Sequence, residues 1–277
     1  MSTLSFLPGS TVKALVKRDL SAAIKSWGPY IAAAVSFLAS SLVLKNYLNG
    51  VGDNNILISA DPLNFPLYIS LVVISFYLAI MSAVSISSER DRGTLEVLFY
   101  GPVNNVSYLL SKYMADMAIF SFLIGLLIPY FIFVSLLTNL ALSWSLAKGF
   151  VLAVFSASCI ICFSLFVSTA TSKMRNSIIW MVALLGSFLA VQLANGILLR
   201  LDDSAVSPLV QYVRSPINVI NTAIGWATPF ASLNKGIQAI VIGSDRQYIG
   251  SILFAVLYST LFLVAAGVVL RKKGVQA

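Results

Sequence analysis

The sequence predicts an all-α polytopic membrane protein, and three observations carry that prediction. Hydrophobic residues make up 58% of the 277, only 10% are charged, and mean hydropathy is +0.91, a balance foreign to soluble domains. The apolar residues lie in continuous runs long enough to cross about 30 Å of hydrocarbon as helices, without the alternation of barrel strands. The charges fall between the runs, where side chains can reach water.

Residues 10–28 come before the first run. Val12, Leu15, Val16, Leu20, Ala23, Ile24 and Trp27 recur at three- and four-residue intervals, with Lys13, Lys17, Arg18, Asp19 and Lys25 opposite them. That spacing predicts an amphipathic helix lying in the membrane interface, and Gly28-Pro29 lets the chain turn into the bilayer. Six transmembrane helices follow, at residues 30–48, 66–87, 108–137, 146–172, 177–201 and 248–270. Residues 49–65, rich in Asn, Gly, Asp and Pro, read as an external loop.

Between the second and third spans stands the densest charge in the chain, Glu89-Arg90-Asp91-Arg92. A short helix is predicted just after it: Thr94 as its cap, Leu95, Val97, Leu98 and Phe99 as its apolar surface, Gly101-Pro102 as its end. Asn104-Asn105 can cap the third span, whose first turns place Lys112 and Asp116 four residues apart as a candidate ion pair, and Pro129 marks a place to bend. In the fourth span Cys159 and Cys162 form a C-x-x-C among apolar neighbours, where thiols ionise poorly and pack as small hydrophobes. The fifth span carries Gly186, Ala190 and Ala194 at four-residue intervals, a stripe that permits close helix approach, with Gln192 and Asn195 as its only interior amides. Residues 202–247 are too apolar for open water and should fold back on the membrane as short external helices before the last span.

Six spans put both termini on one side. Lys13, Lys17, Arg18, Lys25, Arg90, Arg92, Lys112, Lys173, Arg175, Arg271, Lys272 and Lys273 share one face, and only Lys45, Lys148, Arg200, Arg214, Lys235 and Arg246 the other. Twelve against six makes the first face cytoplasmic, so the charged segment faces the cytoplasm of a plasma (inner) membrane protein. The net charge of +8 is spread along membrane flanks, which fits contact with anionic membrane lipids and gives no nucleic-acid stripe.

Absences narrow the function further. There is no His, which removes imidazole metal sites and Ser-His hydrolysis, and residues 117–147, 149–172 and 176–199 hold no Asp, Glu, Lys or Arg. Ion-coupled carriers and intramembrane enzymes place such groups at mid-membrane. No G-x-x-x-x-G-K-[ST] loop is present, so energy for uphill movement has to arrive through a partner.

Glu89-Arg90-Asp91-Arg92-Gly93-Thr94-Leu95-Glu96-Val97-Leu98, then Gly101-Pro102-Val103 and Leu109-Leu110-Ser111-Lys112-Tyr113, resembles the E-R-x-x-G-T-L-E-x-L, x-P-V and L-x-x-K-Y pattern of membrane subunits of ATP-binding-cassette (ABC) exporters of the second permease type. Thr228-Pro229-Phe230, Lys235-Gly236-Ile237 and Leu270-Arg271-Lys272-Lys273 resemble that family's closing pattern, so the likeness spans the chain. Branches with a His shortly after the Pro-Phe serve gliding motility and drug export; here that stretch is Ala231-Ser232-Leu233-Asn234.

The resemblance implies a permease half of an ATP-driven exporter, paired with a second permease copy or paralogue and resting on a separate cytoplasmic ABC ATPase subunit. No cofactor is then bound directly, since ATP and Mg²⁺ belong to the ATPase, and the chain is no enzyme in itself. It implies that Glu89, Arg92, Gly93, Thr94, Leu95, Glu96 and Leu98 form a coupling helix docking on the ATPase, and that the first, second and fifth spans line the passage. Gly186, Ala190 and Ala194 are then candidates for the dimer seam, with Gln192 and Asn195 facing the passage; close packing within one subunit is the alternative. Ser36, Ser40, Ser41, Ser70, Ser75, Ser82 and Ser85 either add a mildly polar lining or bond back to their own helices. A largely apolar passage suits an amphipathic or hydrophobic substrate. Two other functions fit the composition, a non-transporting anchor for a cytoplasmic complex and an ion-coupled carrier, the latter opposed by the charge-free spans.

Overall fold

The computed structural model describes residues 8–54, 61–100, 104–200, 222 and 225–273. Among them all regular structure is helical: α1 (Pro8–Lys25), α2 (Gly28–Asn54), α3 (Asn64–Asp91), α4 (Thr94–Phe99), α5 (Asn105–Thr138), α6 (Trp144–Ala170), α7 (Met174–Arg200), α8 (Ala231–Ile242) and α9 (Asp245–Lys273). Of these, α2, α3, α5, α6 and α9 are long and apolar enough to cross a membrane, which makes the protein a multi-pass membrane protein. The expected fifth span lies on α7, where the apolar stretch among the described residues is Met174–Phe188, so five candidate spans are found among the described residues and the count of six is not confirmed.

Two boundaries differ from the sequence reading. The external loop is shorter than 49–65, because α2 runs on to Asn54 and α3 starts at Asn64. Asn49 to Asn54 lack apolar period, yet backbone hydrogen bonding carries an already nucleated helix onward residue by residue. Pro129 lies inside α5, whose helix continues to Thr138. The turn at Gly28-Pro29 is present as a bend at Ser26 and Trp27, with the first bond of α2 running from Ile31 N to Trp27 O.

The bundle is built around α3 and α6. Of their apolar windows 50% and 67% are buried, against 17% for α9. Lipid offers helices no hydrophobic driving force to associate, so close packing has to hold them. Gly149 and Gly236 allow it: a Cβ on Gly149 would sit 2.7 Å from the Leu67 side chain, and one on Gly236 2.4 Å from that of Leu152. Leu67, Ile74, Phe120, Leu127, Phe131, Leu152 and Leu233 form the largest core cluster, at the end away from α4. Ile86, Leu95, Tyr108, Ile161, Leu165, Ala266 and Leu270 form another around α4.

Part of the segment 202–247 folds as expected, since α8 is a short helix packed on α6 and α9; residues 202–221 lie outside the described residues. Cys159 and Cys162 are buried free thiols within the core, consistent with packing residues.

Candidate functional site

The charged segment becomes one compact unit where α3 ends. Arg92 N–H bonds to Ser88 O at 3.1 Å and Gly93 N–H to Arg90 O at 3.0 Å, closing the helix, and Gly93 then takes φ +70°. That left-handed value, with open space where a Cβ would go, is the conformational reason for glycine at this turn. Thr94 does not cap α4. Gly93 occupies the cap position, and Thr94 Oγ1 donates instead to Glu89 O at 3.0 Å, tying the first residue of α4 to the last turn of α3.

In α4 the inner and outer faces are unlike. Leu95 is 4% exposed and enters the cluster with Ile86, Tyr108, Leu165 and Leu270, while Leu98 and Phe99 pack against its edge. Val97 and Tyr100 are 70% and 87% exposed, and Arg92, Gly93, Thr94 and Glu96 lie with them on the outside. Six residues are too few for a helix to stand alone in water, so this inner face is what fixes α4 in place. Gly101 and Pro102, expected to end it, lie outside the described residues.

Glu89 does not face outward. Its Oε1 accepts from Arg18 Nη2 at 2.8 Å and from Lys112 Nζ at 2.7 Å, and its Oε2 accepts from the Tyr108 hydroxyl. Asp19 closes the figure, with Oδ1 accepting from Arg18 Nε and Oδ2 from Lys112 Nζ, both at 2.8 Å. Two carboxylates and two cations thus alternate in a ring joining α1, α3 and α5. Side-chain exposure is 7% for Lys112, 17% for Glu89 and 19% for Asp19, against 47% for Arg18. Burial pulls the Arg18 guanidinium down, but the hydrogen bond and charge of Asp19 and the charge of Glu89 outweigh it, leaving the group above its ordinary pKa.

The ring overturns two expectations. Lys112 pairs with Asp19 and Glu89 instead of Asp116, whose Oδ2 accepts from Ser82 Oγ at 2.6 Å deep between α3 and α5. Sequence spacing favoured Asp116 because it lies one turn away; the chosen partners are 93 and 23 residues distant and reach the ammonium only once α1 and α3 have docked. Asp19 likewise leaves the polar face of α1 predicted for it. The faint signal was a lone acid among the lysines of an interfacial helix.

Other polar groups fasten α3 to its neighbours. Arg90 Nη1 donates to Thr169 O and Thr171 O, both at 3.1 Å, satisfying carbonyls at the end of α6. Ser168 Oγ accepts from the N–H groups of Ile86 and Ser87 at 3.1 and 3.0 Å, and Ser177 Oγ donates to Ala83 O. The last turns of α3 are therefore gripped by α6 and α7. The sequence reading gave Arg18, Asp19 and Arg90 no such role and passed over Tyr108, Ser168 and Ser177, since their partners lie on other helices. Asn104 stands at the cap position of α5, but its side chain makes no capping bond.

The proposed passage residues divide. Gly186 and Ala190 are exposed on α7, and among the described residues nothing lies within 4 Å of a Cβ added at Gly186. Gln192, Ala194 and Asn195 lie on α7, their side chains outside the described residues. Ser36, Ser40, Ser70, Ser75 and Ser82 are buried within the subunit, which favours the second of the two readings given for the hydroxyls: Ser36 Oγ bonds to Ala33 O, and Ser70 Oγ reaches Ser36 O. Ser85 bonds back to Ser82 O, and Ser41 pairs with the Tyr130 hydroxyl. Between α3, α7 and residues 228–234 lies a cavity of about 50 Å³ walled by Val72, Phe76, Leu185, Phe188 and Phe230. Thr228 Oγ1 is buried beside it without a partner.

Comparison with known families places a match along residues 6–275, to the model described as ABC-2 family transporter protein. A comparison with curated proteins returns no match.

Proposed function

The chain belongs to the ABC-2 transporter family and is a membrane permease subunit of an ABC transporter, and from that premise we propose that it acts as half of an exporter, pairing with a second permease and coupled through α4 to a cytoplasmic ATPase. The observation that carries the coupling is the division of α4 into a buried inner face and an outer face of Glu96, Val97 and Tyr100. Of the seven residues assigned to coupling, Glu89, Thr94, Leu95 and Leu98 hold the element, Gly93 shapes its turn, and Arg92 and Glu96 meet the ATPase beside Val97 and Tyr100. Apolar groups at the centre of such a contact supply affinity, and charges around them select the partner.

ATP-driven movement of the ATPase then presses on α4. Since α4 is fixed to the last turn of α3, to the ring and, through Arg90 and Ser168, to α6, the push reaches the spans as displacement of a rigid body. In this reading α7 is the fifth of six spans and the exposed Gly186 and Ala190 lie at the seam between two copies, where small residues let helices approach closely. The absence of Asp, Glu, Lys and Arg from residues 117–147, 149–172 and 176–199 supports an amphipathic or hydrophobic substrate.

The test is co-expression with candidate ABC ATPase subunits from the same organism, co-purification, and then ATP turnover of the complex. A Val97→Asp, Tyr100→Ala variant is expected in the membrane at normal level but without ATPase capture or stimulation. Capture and turnover equal to the unaltered protein would refute docking through α4.

A further inference from the structure

Two apolar grooves run along the bundle at the start of α5, on either side of one ridge. The first, of about 660 Å³, lies between α5 and the last turns of α9, with Leu109, Leu263, Val264, Gly267 and Val268 in its walls and Arg271 at its mouth. The second, of about 560 Å³, lies between α5 and α1, floored by Val12, Val16 and Met114, with Lys13 at its mouth. Val106 and Leu110 line both and form the exposed ridge between them.

Above the ridge is the beginning of α5. The first helical hydrogen bond runs from Tyr108 N to Asn104 O, so the N–H groups of Asn105, Val106 and Ser107 precede the ladder, and among the described residues the Asn104 side chain leaves them uncapped. Lys13 and Arg271 flank this terminus, both exposed and neither ion-paired among the described residues. Positive charge on two sides, free donors in the middle and an apolar trough below each cation call for one shape of ligand, an anion carrying two hydrocarbon chains.

We propose that this is a binding site for one anionic phospholipid, its phosphate at the first turn of α5 between Lys13 and Arg271 and one acyl chain in each groove. Charge complementarity selects the headgroup, and the paired grooves select a two-chain molecule over a detergent or a peptide helix, which would fill one groove and leave the ridge bare. The site touches α1 and α5, the two elements whose ring braces α4, so an occupying lipid holds α1 against α5 alongside the ion pairs. It takes from the transporter reading only the leaflet, the cytoplasmic one; the geometry stands without it.

The experiment is native mass spectrometry of the purified full chain in detergent, titrated with palmitoyl-oleoyl phosphatidylglycerol or phosphatidylcholine. One phosphatidylglycerol is expected to bind about 25-fold tighter than phosphatidylcholine, and Lys13→Gln with Arg271→Gln to cut that preference about fivefold per charge. Lys25→Gln with Lys173→Gln removes equal charge outside the grooves and should leave it intact. Gly267→Leu, which fills the first groove, should weaken both lipids. Four results overturn the proposal. They are equal loss in the Lys25, Lys173 control, indifference to headgroup, displacement of the lipid by soluble glycerol phosphate, and a disulfide between copies through Val106→Cys and Leu263→Cys in a chain lacking Cys159 and Cys162, since that would make the occupant a second copy.

Discussion

Replacing Lys112 by Met removes one corner of the ring and keeps much of the side-chain volume. The ammonium is 7% exposed and holds Asp19 at 2.8 Å and Glu89 at 2.7 Å, so its loss leaves two largely buried carboxylates to share Arg18. Breaking a buried pair from one side costs about 3–5 kcal/mol, because the remaining charge is uncompensated. Arg18→Gln removes the other cation, but from a position 47% exposed, where water already screens it, and an exposed pair is worth about 0.2–1 kcal/mol. Graded SDS unfolding in mixed micelles at one lipid composition measures both. Lys112→Met should destabilise several times more than Arg18→Gln, and adding Glu89→Gln should recover part of the loss, with a coupling of about 1–3 kcal/mol. Asp116→Asn should couple to Lys112→Met more weakly than Glu89→Gln does. Equal cost for the two cation variants, or stronger coupling to Asp116 than to Glu89, would refute the ring as the unit that braces α4.

Gly93→Ala forces an L side chain into φ +70° without a clash, a strain of about 1–2 kcal/mol that Asn partly escapes. Trypsin should therefore cut after Arg92 fastest in Gly93→Ala, more slowly in Gly93→Asn and slowest in the unaltered chain. Gly236→Ala drives a methyl into Leu152, which is fully buried, and should cost about 1–3 kcal/mol in the same SDS assay, with Leu152→Ala in the same chain restoring part of it. Ser168→Ala deprives Ile86 N–H and Ser87 N–H of a shared acceptor, so amide hydrogen exchange at those two positions should quicken while α5 exchanges as before.

What the sequence disclosed and what it withheld follow from the range of the forces involved. Spans and turns depend on local composition, so α3, α5, α6 and α9 fall close to the predicted runs, and Gly93 announces the turn before α4. The apolar face of α4 was legible too, but its direction was not: Leu95 looked like a contact for a partner and is a contact for Ile86 and Leu270. A short helix cannot say from its own pattern whether its greasy side faces home or abroad. Partners of charges are the least legible, since the stabilisation of Lys112 comes from residues 93 and 23 positions away. For the hydroxyls the sequence left two readings open, and the structure favours the local one. In apolar surroundings Ser36 and Ser85 satisfy themselves within one helical turn, so their number gave no measure of a polar passage.

The ring also bears on where the molecule can yield when α4 is pushed. α1 packs extensively on α5 and only slightly on α2, and its ionic ties run to α3 and α5. To separate α1 from that assembly, buried charges have to part, at about 3–5 kcal/mol for the Lys112 corner alone. The bend at Ser26 and Trp27 opposes motion far less: Trp27 is 81% exposed, and the Ser26 hydroxyl bonds only to Ala23 O three residues back. α2 is nevertheless held as closely to α3 as α1 is to α5, and at the joint itself a Cβ on Gly28 would sit 2.9 Å from the Tyr77 hydroxyl, so a displacement of α4 of the kind proposed would carry α1, α2, α3 and α5 together. On the proposed coupling, the interfacial helix α1 is in this way part of the same rigid body as α4, held there by the ring of Arg18, Asp19, Glu89 and Lys112.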